Sequence, residues 1–404
     1  MIRSLSTAVT GLRGHQTKLD IVGNNIANVN TVAFKKSQIR FEDLLSQTIQ
    51  GATAPSQRGG INPSQVGMGM RISGIIDNHF QGPITNTDRE TDLAIQGNGY
   101  FIVSDGSRLY YTRDGSFGRD ANGELVNING YKLMGWTGSA ADVTGELAPL
   151  HIPLGERMVA QATSKVKFAG NLDAGAWVLG GAAQTYNYEY FIYDSLGRRY
   201  TVEYRLTPAG QNSWEYEALL DGNSIGSGTL VFTAQGSFDA AASTINPLAY
   251  NPPGAEPISI TPDFSSVTQL AGSSSMLVRE QDGFPAGELV SFAISRTGAV
   301  IGTYTNGMVE TLGQIAMAYF TNPEGLAKEG GNLYQVTANS GEARIGLPGT
   351  EGRGLIQSSA LEMSNADLSF EFTELITTSR AFQANTRVVT TSDEILLEVI
   401  NMKR

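Results

Sequence analysis

Near the N-terminus Leu5, Leu12, Leu19 and Ile26 recur every seven residues, and near the C-terminus Leu361, Leu368, Leu375, Phe382, Val389 and Leu396 do the same. A seven-residue apolar repeat draws one narrow stripe along a helix, the seam of a coiled coil. The spacing predicts a helix over residues 2 to about 29 and a second over 365–404. Ser364 and Asn365 are the expected N-caps of the second helix. Asp367 and Glu371 in its early turns, and Lys403 and Arg404 at its far end, suit the helix dipole. Gly11, Gly14 and Gly23 weaken the first helix by up to ~1 kcal/mol each relative to alanine, so its seam needs a partner. Residues 1–40 hold six basic groups against Asp20 alone, whereas residues 361–404 hold seven acidic groups against four basic ones. Opposite charge favours pairing of the two helices over self-pairing of either. Burial of six large seam residues contributes about 9–18 kcal/mol at most, several times the glycine penalties.

Between the ends the period changes from seven to two. Residues 51–69, GATAPSQRGGINPSQVGMG, read as a loop or extended arm. Strands take over from about Ile72, and Asn122-Gly123 is a strong hairpin signal. From near Ala148 apolar positions alternate: Tyr188, Tyr190 and Ile192, then Tyr200, Val202, Tyr204 and Leu206, then Trp214 and Tyr216, then Leu230 and Phe232. Such alternation marks half-buried strands of an antiparallel meander or barrel. NPPGAEP, 251–257, reads as a loop. Strands resume through Val290, Phe292 and Ile294, turn at Arg296-Thr297-Gly298, and return through Ile301 and Thr303. GLPGTEGRG, from residue 346, leads into the last helix.

At 404 residues the chain is expected to form two to four domains. Its net charge of −11 argues against nucleic acid and against an anionic membrane surface. It has no cysteine, which excludes disulfides, thiolate metal sites and cysteine nucleophiles. No run approaches the ~18 apolar residues of a membrane span. The first 30 residues lack a signal peptide's continuous apolar core, being interrupted by Arg13, His15, Lys18 and Asp20. The expectation is a cytosolic protein, or one that leaves without a cleaved signal.

Catalytic signals are weak. Gly222-Asn223-Ser224-Ile225-Gly226 has the letters of a nucleophile elbow, but strand-like residues on both sides make it a hairpin. Asp120, Asn122 and Glu124 start like a calcium loop without completing one, and again read as a turn. His15, His79 and His151 share no metal-ligand spacing, and Gly97-Asn98-Gly99 lacks the third glycine of a dinucleotide loop. No catalytic, cofactor-binding or metal residue is assigned.

Two terminal strings are more specific. Asn24-Asn25-Ile26-Ala27-Asn28-Val29-Asn30-Thr31-Val32-Ala33-Phe34-Lys35 packs asparagines, which tolerate left-handed backbone, at a helix exit. At the other end stand Ser364-Asn365-Ala366-Asp367-Leu368-Ser369, then Phe382-Gln383-Ala384-Asn385 and Thr391-Ser392-Asp393-Glu394. Together with Gln96-Gly97-Asn98-Gly99-Tyr100-Phe101 and Gly170-Asn171-Leu172-Asp173, in this order, they resemble the signatures of the rod and hook family of axial proteins of the bacterial flagellum. Residues 282–307 and 312–326, and the large middle region, are similar to the hook members of that family. Residues 51–70 instead resemble the distal rod's longer linker, a segment tied in the family to tube stiffness.

The resemblance implies a multidomain α+β chain: a terminal α-helical coiled-coil domain plus two mainly antiparallel β domains, the outer inserted in the inner. The expected boundaries are 1–30 and 365–404 for the helices and 31–70 for the linker. Residues 71–147 and 285–364 would form the inner β domain, and 148–284 the outer one. It further implies a helical homopolymer, a curved tube transmitting motor torque to the filament as a universal joint. The implied partners are further copies of the chain, the rod, hook cap and hook–filament junction proteins and the flagellar type III export apparatus, with an extracellular location. Alternatives are a distal-rod-like protein or a secreted β-rich adhesin with trimerising ends.

Overall fold

The computed structural model describes all residues except Met1, 53–58, 61, 139–144, 154, 156, 178–183 and 403–404; the expected basic helix end at Lys403 and Arg404 therefore lies outside the described residues. Two helices bracket the chain, α1 (Ile2–Ala27) and α2 (Leu368–Asn401). The expected caps Ser364 and Asn365 are corrected to Asp367, whose carboxylate accepts the N–H groups of Ser369 (2.8 Å) and Phe370 (3.4 Å). Aspartate supplies the same hydrogen bonds and adds a negative charge at the positive end of the helix. Leu361 is likewise not part of the helical stripe. It lies in the strand Ala360–Glu362, paired with Ile84–Asn86, where Ala360 and Glu362 are buried and Leu361 is half-buried between them. Its seven-residue offset from Leu368 is a coincidence of spacing.

After α1 an antiparallel ribbon forms from β1 (Ser37–Asp43), β2 (Ser46–Gln50), β3 (Ser64–Gly67) and β4 (Met70–Asp77), with β1 on β4 and β2 on β3. The segment read as an arm thus contributes a paired strand, β3. The ribbon packs on α1 at Gly14, where a Cβ would stand 2.4 Å from the Met70 methyl and 3.2 Å from the Phe41 ring.

The chain divides into two compact units: Met1–Ile152 with Ala293–Ile301 and Thr311–Arg404, and Pro153–Phe292 with Gly302–Glu310. Ala148–Pro149 is a strand of the first unit, with Ala148 opposite Gly135, so the chain leaves that unit only after Ile152.

In the first unit Tyr100–Ser104 pairs with Leu109–Thr112, with Met317–Ala318 and with Lys132–Leu133. Leu93–Gln96 pairs with Leu355–Ser358. Leu93, Ala94, Ile95, Phe101, Ile102 and Val103 are all fully enclosed, so these strands read as continuous apolar runs rather than alternating ones. The turn between the runs needs glycine. Gly97 and Gly99 sit at φ +110° and +119°, and a Cβ on Gly99 would stand 2.6 Å from the Met317 methyl.

The second unit holds two four-stranded sheets. Tyr186–Tyr193, Arg199–Gly210, Ser213–Leu220 and Asn223–Val231 form an antiparallel meander. The other sheet orders Leu248–Tyr250, Ile258–Leu270, Lys165–Asp173 and Leu277–Gln281, with Lys165–Asp173 parallel to Ile258–Leu270. Their inner faces share one core, in which Phe168 stacks on Phe264 at 4.9 Å beside Tyr204, Trp214 and Tyr216. The alternation read between 190 and 232 places Tyr190, Ile192, Val202, Tyr204, Leu206, Trp214, Tyr216, Leu230 and Phe232 in that core. The alternation read at 290–294 fails at one position. Leu289 is buried and Val290 exposed, because the strand's facing breaks between Val290 and Phe292.

Candidate assembly surface

The asparagine-rich exit of α1 is a set of backbone clamps. Asn25, buried, donates to the Ser37 carbonyl (2.9 Å) and accepts from the Ser37 N–H (3.1 Å), so one amide fixes the start of β1. The same amide reaches Glu371 on α2 at 3.1 Å. Asn28 donates back to the carbonyl and side chain of Asn24, both at 3.0 Å, and closes the helix end. Ala27, last in α1, is exposed. Phe34 is buried, with the Lys328 ammonium 5.7 Å from its ring centre. Ser364 Oγ accepts the Ala366 N–H (3.2 Å), and Asn365 Oδ1 accepts the Lys36 N–H (2.8 Å). Leu368 opens α2 exposed.

At the centre Lys35 and Glu362 meet at 2.5 Å with both side chains fully enclosed, and Arg113 approaches the second carboxylate oxygen at 3.3 Å. Lys35 also donates to the Phe80 carbonyl at 2.8 Å. Burial holds the Lys35 ammonium below its ordinary pKa, opposed by the attraction of Glu362. Lys35 stands out in the sequence, whereas its partners Glu362 and Arg113 do not. A lysine directly after a buried phenylalanine was the available signal, since a buried charge requires a partner.

His79 lies beside this cluster. Burial lowers its pKa to about 4, reinforced by Lys35, Lys328 and Arg113 and opposed by Asp77. Burial also raises the Tyr100 hydroxyl, and that hydroxyl shares a hydrogen bond with Nδ1 of the neutral ring at 2.8 Å. Between the ordinary value of 6.5 and about 4 the unfolded chain takes up a proton that the folded chain refuses. Stability therefore falls as pH drops through this window, by about 3 kcal/mol when complete. His79→Gln is expected to flatten the urea midpoint against pH there, relative to the native chain; parallel profiles would count against the assignment.

α1 and α2 pair antiparallel within the chain. Lys18 forms an ion pair with Glu374, and Lys36 lies 3.6 Å from Glu371, so the opposite charges of the ends do meet. The column buried deepest on α2 is not the apolar stripe but Glu371, Thr378 and Ser392, with Asn385 in register between them. A Cβ on Gly11 would stand 2.9 Å from the Asn385 amide, so this glycine sets a close helix approach. Leu5, Leu12, Leu19 and Ile26, and Leu375, Phe382, Val389 and Leu396, remain only half-buried. Large side chains do not fit where the backbones come closest, and they stay on the flanks, open to a further helix. Beyond them α2 leaves Phe370, Phe372, Ile376, Ile395, Leu397, Val399 and Ile400 exposed, Ile376 by 60% and Ile400 by 63%. A helix with that much uncovered apolar surface marks an association site.

Elsewhere the weak motifs resolve as turns. Asp221 and Gly222, at φ +50° and +82°, make the two-residue hairpin that places Ser224 on a strand. Asp120 accepts the N–H groups of Asn122 and Glu124 at 3.0 and 2.8 Å and so shapes the Gly123 turn. Among the described residues no group of three or more His, Cys, Asp or Glu is placed to hold a metal, and no helix is long and apolar enough to cross a membrane.

Paired terminal helices, knotted at one point and apolar on their outer side, define a structural protein that associates through its ends. Residues 5–35 match the family described as flagella basal body rod protein, and 357–402 the flagellar basal body rod FlgEFG protein C-terminal family. Residues 94–167 match the flagellar hook protein FlgE/F/G D1 domain, and 178–284 the flagellar basal body protein FlaE D2 domain. The chain is 39% identical to flagellar hook protein FlgE of Borreliella burgdorferi, with each chain fully covered. It is 34% identical to that of Escherichia coli K12, over 99% of this chain and 100% of the other. The crystal structure of Helicobacter pylori flagellar hook protein FlgE2 has a like fold (TM-score 0.57, 18% identity, 69% of this chain and 100% of that one). The chain belongs to the flagellar hook protein FlgE family. It is a structural, non-enzymatic subunit of the bacterial flagellar hook, and the distal-rod and adhesin alternatives fall away.

Proposed function

We propose that this chain polymerises by covering the exposed apolar side chains of α2 with the helices of neighbouring copies, producing a curved tube that carries torque around a bend as a universal joint. In this reading the stripes Leu5, Leu12, Leu19, Ile26 and Leu375, Phe382, Val389, Leu396 supply the flanks of the intersubunit seams. The helices line the tube and residues 153–292 stand outside its wall. The rod, hook cap and junction proteins bind the tube ends, and the subunit is exported through the flagellar type III apparatus without a cleaved signal. The observation that carries the reading is that α2, already paired along one column, leaves Phe370, Phe372, Ile376, Ile395, Leu397, Val399 and Ile400 exposed around and beyond that column. Closed seams with yielding polar contacts elsewhere would let subunit spacing change as the tube turns.

Ile376→Asp and Ile400→Asp test it. Both side chains are exposed in the single subunit, so thermal unfolding of the monomer should shift by less than ~0.5 kcal/mol. In a tube each aspartate would be buried unpaired at several kcal/mol, and sedimentable tubes should vanish. Normal tubes from both variants, seen by negative-stain microscopy, would refute the assignment.

A further inference from the structure

Between β4 and Ile84–Asn86 runs the loop Asn78-His79-Phe80-Gln81-Gly82, which is held throughout by hydrogen bonds except at the Phe80 ring. Asn78 Oδ1 accepts the Phe80 N–H at 2.9 Å. His79 is held by Tyr100. Gln81 brackets the neighbouring turn, donating to the Ile95 carbonyl (3.2 Å) and accepting from the Gly97 N–H (2.9 Å). Gly82 donates to Glu362 at 2.8 Å and leaves no room for a side chain, since the Met363 carbonyl oxygen stands 2.1 Å from its Cβ position. The Phe80 carbonyl accepts from Lys35 (2.8 Å) and from Asn365 (3.0 Å), one residue from each terminal signature. Its ring is nonetheless 80% exposed.

A backbone pinned at both N–H and carbonyl, with an aromatic side chain left in solvent, is the arrangement of an interface anchor. The ring has two torsions to order, the loop none, so little freedom is lost on docking. We propose that Phe80 is an intersubunit anchor, seated in a different surface of the next copy of this chain. The occupant is a second copy because the chain belongs to a family of hook subunits, and the loop hangs from Lys35, bonded to Glu362, and Asn365, bonded to the backbone of Phe34 and Lys36, so its position is tied to the segments that follow α1 and precede α2. A helical polymer uses such heterologous knob-and-socket contacts. The inference rests on the hook reading and adds a contact outside the helices.

Phe80→Ala should raise the critical concentration for tube formation tenfold or more, while monomer circular dichroism and thermal unfolding stay unchanged. Phe80→Tyr, which keeps the ring, should assemble close to the native concentration. A photoreactive benzoylphenylalanine at position 80 should cross-link copies in tubes and not in monomer. Assembly of Phe80→Ala at the native critical concentration, or tubes that yield no cross-link, would overturn the anchor and leave the hook reading intact. If the native chain forms no tubes, it is the hook reading that fails, and this inference with it.

Discussion

Lys35→Met is expected to cost the unit that carries the termini about 3–5 kcal/mol, an effect large for one substitution. The change keeps much of the side chain's volume but leaves the enclosed Glu362 with Arg113, at the longer distance of 3.3 Å, as its remaining cationic partner beside the Gly82 N–H. It also strips the Phe80 carbonyl of one donor. Denaturant unfolding should show an earlier transition for the first unit and an unmoved one for the second, whose core shares no residue with this cluster. Lys35→Met combined with Glu362→Leu should cost less than the two single losses added, because neither then leaves its partner's charge unbalanced in the same way. A single-variant loss below ~1 kcal/mol would show that the pair contributes little.

Excising residues 162–283 is expected to leave tubes that assemble but are straight. The cut points come from backbone geometry. Gln161 and Phe284 exchange both main-chain hydrogen bonds, each at 3.1 Å, so the chain enters and leaves the excised segment side by side. Such a closely bonded pair is what a two-residue Asn-Gly turn closes. The helices, the knot at Lys35 and the sheets around Tyr100–Ser104 all lie outside the cut. Electron microscopy reads the result. Wild-type curvature would place bending in the remaining part, and loss of all tubes would show that the excised segment is needed for the wall.

What was legible in the sequence followed from short-range chemistry. A period of seven marks the helices, a period of two the sheets of the second unit, and Asp-Gly, Asn-Gly and Thr-Gly steps the turns that Gly222, Gly123 and Gly298 make at positive φ. The site was legible only by half. Asn25, Phe34, Lys35 and Asn365 stand out in their strings, but the groups they bind do not: Ser37, Glu362, Arg113 and Phe80 look like ordinary surface residues until the fold joins them. The pairing of the two helices within one chain follows a different rule from the apolar stripe. Apolar spacing locates the stripe of greatest hydrophobicity, whereas closest helix approach is set by the smallest side chains, Gly11 opposite Asn385, and by the polar column beside it. Leu361 shows the same limit, since seven-residue spacing carries no record of where a helix begins.

The ion pair at the knot joins residues 327 positions apart. A contact that distant forms late, because the whole intervening chain must first be brought to order or looped out. The second unit closes using only residues between 153 and 310, and its meander pairs each strand with the next. Folding is thus expected to follow a schedule, with the central β sheets complete while both ends are still loose. The sticky face of α2 takes its place only after residue 362 has found Lys35. The apolar side chains of α2 are therefore expected to be set in place last, once the final tenth of the chain has joined the rest.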